Sequence, residues 1–221
     1  MSGLRAGDVA AKLVARLSPY PAVKALVAAQ LREWPDHVTV LEKSLAESDP
    51  GFLSRTDALA QLVWKVIGDD IDLHCADYHW MCDNFVGELM FFRRDRRYKL
   101  QTFAEAVAQI YSNADYMSRY VKGILLSQVL WNNHARAIDV FRSNFLTDDK
   151  INYEHLDVGP GPGFFLAFAA TDPPRCQAVT GWGEPDQPCG DPNGPCSDGD
   201  LATGLAYSPG CASGAAGGGP F

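Results

Sequence analysis

No stretch of this 221-residue chain stays apolar over the roughly 20 residues that a membrane-spanning helix needs. The amino terminus lacks the basic, apolar, then small-residue order of a secretory signal. Six cysteines fall without regular spacing, so they do not make a disulfide framework. These absences predict a cytoplasmic protein with reduced thiols and no membrane attachment. Cations are scarce as well. Lys and Arg number 19 against 27 Asp and Glu, giving a net charge of -8 and a pI near 5.0. Such a balance argues against nucleic acid or an anionic membrane as partner. The local exception is Arg93-Arg94-Asp95-Arg96-Arg97, which reads as a solvated helix end.

What is present divides the chain into three zones. Residues 1–148 read as helix after helix. Val9, Ala10, Leu13, Val14 and Leu17 recur at helical spacing, as do Leu59, Leu62, Val63, Val66 and Ile67 after candidate caps at Ser54 and Thr56. Thr102 and Glu105 form a capping-box pattern, with Phe103, Ala106, Val107, Ile110 and Tyr111 beyond it. Ser112 or Asn113 starts a further helix, and another runs through His134, Ile138 and Phe141. This zone is expected to be a helical cap or lid.

Residues 149–182 change period. Leu156-Asp157-Val158 reads as a short strand, Phe164 to Ala170 as a helix, and Ala178 to Trp182 as a second strand. The expected class is therefore α/β, with one βαβ unit after an all-helical domain. Residues 183–221 are rich in Gly, Pro, Ala and Ser. Neither Lys nor Arg occurs after Arg175, and neither Val nor Ile after Val179. Such a segment cannot bury enough apolar surface to offset the entropy of ordering it, and it is expected to be disordered.

Between the first strand and its helix stands Asp157-Val158-Gly159-Pro160-Gly161-Pro162-Gly163-Phe164. Glycine is needed in such a turn where φ must be positive or where a ligand meets the backbone. A dinucleotide fingerprint would require glycine at 164, where Phe164 stands. A phosphate loop is excluded by the missing Gly-Lys-Ser/Thr ending.

Leu-Asp-Val-Gly-Pro-Gly-Pro-Gly-Phe-Phe-Leu resembles the first motif of class I S-adenosylmethionine-dependent methyltransferases. The resemblance implies a Rossmann-like fold with Asp157, Gly159, Pro160, Gly161, Gly163 and Phe164 around the cofactor S-adenosylmethionine. More loosely, Tyr116 to Tyr120 with Gly123-Ile124-Leu125-Leu126 looks like the helical lid of such enzymes. The family resemblance implies methyl transfer, and a small-molecule acceptor is expected. The glycine motif encodes no acceptor contacts, so sugar, lipid and protein acceptors stay open, and it names no catalytic residue. The chain departs from the family at Gly183, where an acidic residue should follow the second strand; Glu184 is one place late and faces the other way. The resemblance thus stops after the second strand, as in a truncated or frameshifted enzyme. The alternative is a helical interaction module without catalysis.

Other chemistry is weaker. Cys75, His79 and Cys82 share a helix face near His74, but their spacing matches no common zinc site, and two buried thiols beside a satisfied histidine is the plainer reading. Cys189, Cys196 and Cys211 are spaced too irregularly for a zinc ribbon. His134 on an apolar face reads as a core or pocket-lining residue, with Tyr111, Tyr116 and Tyr120 as further lining candidates.

Overall fold

A computed structural model describes residues 2–46, 49–146, 154–171 and 177–180. The chain forms two compact units, Met1–Arg136 and Ala137–Phe221.

The first unit is built from α1 (Ser2–Arg16), α2 (Pro21–Glu33), α3 (Val38–Ala46), α4 (Pro50–Ile67), α5 (Ile71–Asp95), the short α6 (Phe103–Ala106) and α7 (Ala114–Leu130). A 3-10 turn, Pro35–His37, joins α2 to α3, and a π turn, Val107–Tyr111, follows α6. α2 packs on α4 and α5, and α5 pairs with α7. The apolar stripes read from the sequence supply the core: Leu13 and Leu17 of α1, and Leu59, Val63 and Ile67 of α4, are buried. Leu26, Tyr78, Met81 and Leu126 join them.

Polar side chains set the helix starts. Thr102 and Glu105 make the reciprocal capping box, and Asn113 caps α7 through the Tyr116 amide. α4 begins earlier than its stripe suggests. Asp49, not Ser54 or Thr56, is its cap, accepting from the Phe52 amide at 2.9 Å with Pro50 in the first turn. α2 has no cap of its own. Instead Asp57 of α4 reaches across, and its carboxylate accepts from the amides of Ala22 (2.9 Å) and Val23 (3.0 Å). A buried anion is thereby placed on the positive end of a helix 35 residues away in sequence from it.

α5 and α7 approach almost to backbone contact. A Cβ on Gly123 would lie 2.9 Å from Met81 Cβ and 3.1 Å from the Asp77 carbonyl oxygen. Asp77 itself is 2% exposed and accepts from Arg119 Nε at 2.7 Å, with Lys122 at 3.6 Å. A second buried chain runs through Tyr78, whose hydroxyl accepts from Trp131 Nε1 at 2.7 Å and bonds His37 Nε2 at 3.0 Å.

The second unit holds the end of α8 (Asn132–Val140), a π turn (Phe141–Phe145), β1 (Glu154–Asp157), α9 (Phe164–Thr171) and β2 (Gln177–Thr180). β1 and β2 pair in parallel, with His155 opposite Ala178 and Asp157 opposite Thr180. The expected α/β class with a Rossmann-like unit is corrected here. The described residues are overwhelmingly helical, and their strands are two four-residue segments in a two-stranded ladder. A strand in a Rossmann-like sheet is covered on both faces. Leu156 of β1 is 66% exposed, so β1 is not such a strand. The disorder expected for 183–221 lies outside the described residues. Among the described residues no helix is long and apolar enough to cross a membrane.

Two measurements test this account. Gly123→Ala gains helix propensity of about 1 kcal/mol but forces α5 and α7 apart, for a net loss of about 1–2 kcal/mol in urea unfolding. An unchanged midpoint would show that the helices can separate freely. The second concerns His37, whose pKa burial, and then the charge of His79, lower from 6.5 to about 4. The folded state therefore binds the proton more weakly than the unfolded chain. Its stabilising effect is complete above pH 6.5 and declines as pH falls toward 4. His134, lowered by burial, acts in the same direction. Thermal midpoints should fall over that window, and His37→Gln should flatten the fall.

Candidate functional site

The glycine turn joins the end of β1 to the start of α9. Gly159, Gly161 and Gly163 all have positive φ, at 73°, 55° and 80°. Side chains with a Cβ are strained there, so the glycines are required by the path of the backbone. Crowding is not the reason at Gly159, where an added Cβ would meet nothing within 4 Å. Pro160 and Pro162 alternate with the glycines and restrict the intervening φ values. The turn closes with the Gly163 amide donating to the Pro160 carbonyl at 2.9 Å. The Gly163 carbonyl then accepts from the Ala167 amide at 2.9 Å, which opens α9.

Phe164 anchors this helix. It is 1% exposed and stacks with Phe168, itself covered by the Arg142 guanidinium at 4.3 Å from the ring centre. The first turn, Phe164-Phe165-Leu166, contains no acidic residue, so α9 carries no side-chain charge against its own positive end.

Asp157 stands at the strand end with its Oδ2 shielded from solvent and without a hydrogen-bond partner among the described residues. His155, two residues earlier, shows the same condition at Nε2. Alternation along a strand puts both on one face. The rings of Phe141 and Phe145 flank His155 at 5.7 and 5.9 Å, and Phe165 meets Phe141 edge-on at 4.9 Å. The face turned inward is thus polar and aromatic-walled, whereas Leu156 faces outward. His155 was not evident as a site residue from sequence; the signal available was its i, i+2 relation to Asp157.

The structure thus brings Asp157, Gly159, Pro160, Gly161, Gly163 and Phe164 into one strand–turn–helix element. Gly183 and Glu184 lie outside the described residues. So do Cys189, Cys196 and Cys211.

The first unit holds the remaining residues singled out in the sequence. Cys75 and Cys82 are buried free thiols, with pKa values pushed by burial up to about 12 and about 11. Thiolates are therefore suppressed at both. His74 lies buried with Nδ1 2.9 Å from the Asp70 carbonyl. His79 stacks on Trp34 at 4.1 Å, between Glu33 at 3.8 Å and Asp83 at 3.6 Å. Among the described residues no group of three His, Cys, Asp or Glu side chains could hold a metal ion. His134 Nδ1 lies 3.0 Å from Ser127 Oγ, whose hydroxyl donates to the Ile124 carbonyl. That bond occupies the serine proton inside α7. Tyr116 packs edge-on against Trp80, Tyr120 against Phe85, and Tyr111 is 62% exposed.

No protein-family model, no curated protein and no solved structure matches the chain.

Gly159→Ala tests the backbone argument. With open space around the new Cβ, the cost should be conformational alone, about 1–2 kcal/mol. It should appear as faster amide hydrogen exchange in α9, with the α5 and α7 amides unaffected. Unaltered exchange across 164–169 would mean that the turn tolerates a negative φ at 159.

Proposed function

We propose that the chain binds S-adenosylmethionine at Asp157–Phe164 and acts as a methyltransferase on a small-molecule acceptor. One observation carries this reading: a strand-end carboxylate with an unpartnered oxygen is followed by three positive-φ glycines leading into a helix start. Together these supply what a cofactor with an ammonium, a carboxylate and ribose hydroxyls requires. The Asp157 oxygen is an acceptor for hydroxyl or ammonium protons. The glycine backbone allows close approach, and the uncompensated N-terminus of α9 favours an anionic group. The bound cofactor contributes an electrophilic sulfonium methyl. The chain's own part is to hold and orient it and to exclude water. A cytoplasmic setting belongs to this reading, in keeping with the free thiols of Cys75 and Cys82.

The second reading, a helical interaction module without catalysis, is favoured by the separate core of Met1–Arg136. Calorimetric titration with S-adenosylmethionine and S-adenosylhomocysteine separates the two. Cofactor binding should release heat and raise the thermal midpoint. Asp157→Ala should weaken binding by roughly 10–100-fold, the loss of one hydrogen bond to a charged acceptor. Absence of heat at millimolar ligand, with the protein folded by circular dichroism, would remove the methyltransferase reading and leave the module.

A further inference from the structure

α5 changes character halfway along its length. Cys75, Tyr78 and Met81 in its first half are essentially inaccessible. Beyond them Phe85, Val86, Leu89 and Met90 are 40%, 58%, 47% and 59% exposed. Four large apolar side chains within six residues is more than scattered surface hydrophobicity.

Charges of opposite sign bracket this patch. Asp83 precedes it, with a side chain 69% exposed, and Arg93 and Arg94 follow it. In an α-helix the positions i, i+3, i+7 and i+11 fall along one stripe, which here reads Asp83, Val86, Met90, Arg94, with Leu89 and Arg93 at its edge. The order acid, apolar, base is complementary to itself when a second helix runs antiparallel. With a twofold axis at residue 88, Asp83 faces Arg93 of the other copy and Val86 faces Met90, each pair occurring twice.

Local ion pairing leaves these partners available. Arg94 is held by Asp95 at 2.7 Å, whereas Arg93 has no ion pair among the described residues. Among the described residues the ion-pair partner of Asp83 is His79, at 3.6 Å, which pairs only when that histidine is protonated. The chain's net charge of -8 opposes the approach of two copies in general, and Arg93 supplies a cation at this surface that Asp83 of a second copy can meet.

We propose that the outer half of α5 is a self-association surface that receives a second copy of this chain in antiparallel register. Val86, Leu89 and Met90 form its centre, and Asp83–Arg93 pairs close both ends. Four partly exposed side chains make a small surface beside the roughly 800 Å² per partner of a stable complex, so the dimer is weak and reversible.

Sedimentation equilibrium of the full chain under reducing conditions, from about 10 µM to about 500 µM, tests this. A monomer–dimer equilibrium is expected within that range, and Met90→Glu should abolish it. Asp83→Arg and Arg93→Asp should each weaken association by roughly tenfold. Combined in one chain, the two reversals should restore it to within about threefold of the original. Circular dichroism shows whether each variant is folded. If Met90→Glu loses helicity, the charge-reversal set decides, because both of its positions are exposed. A chain that stays monomeric throughout overturns the proposal. So does association that survives in folded Met90→Glu, or a double reversal as weak as the single ones.

Discussion

The helical unit depends on the contact between α5 and α7, where a buried carboxylate and a glycine meet. Asp77 is sealed inside the pair and must be neutralised, because breaking a buried ion pair from one side costs about 3–5 kcal/mol. Its partners Arg119 and Lys122 come from α7, four residues and one residue before Gly123. Gly123 lets the backbones close to the distance at which those cations reach inward. The rest of the interface follows from that spacing. The Arg119 guanidinium lies 4.3 Å over the Trp80 ring, and Trp80 packs on Tyr116. The Trp131 indole, just beyond α7, meets the Tyr78 hydroxyl of α5 and so ties in His37 before α3. One steric requirement and one electrostatic requirement thus position α5, α7 and the turn that holds His37.

Little of that contact could be read from the chain. Periodicity finds helices because burial of one face is a local pattern, and for that reason α1, α4 and α7 were legible, as were the caps at Thr102 and Asn113. Asp49 was missed because the stripe read from the sequence starts at Leu59, nine residues after Pro50 opens the helix. Asp57 was invisible as a cap because its helix start belongs to α2, far off in sequence. Gly123 reads in sequence as a weak helix position; only the nearness of Met81 explains it. In each case the deciding partner is non-local.

The α/β expectation failed for the same reason in reverse. Leu156-Asp157-Val158 has strand composition, and the turn after it has the glycines that a strand-to-helix connection uses. Composition says nothing of what covers the strand, and an exposed Leu156 is not the environment of a strand in a doubly covered parallel sheet. The turn itself was legible because positive φ is a local property that glycine alone adopts without strain. Local backbone chemistry survived at Gly159, Gly161 and Gly163, whereas the inference from three glycines to a whole sheet did not.

Unpartnered polar atoms occur in both units, so they do not by themselves mark a ligand site. Gln30 of α2 is completely buried and both of its side-chain amide atoms lack partners. Nothing larger than water could reach an amide sealed in that way, and an ordered internal water is the ordinary remedy. Asp157 and His155 differ in their surroundings. Each residue is only half-buried, each shares one strand face with the other, and both adjoin a turn whose Gly159 opens onto free space. A carboxylate oxygen kept from water beside an approachable backbone loses hydration without recovering it from the chain. Asp157 is partly exposed as a residue, so a ligand group has a side of it to approach, while at Gln30 only water can enter. Accessibility, rather than the missing hydrogen bond, directs the functional reading to the glycine turn.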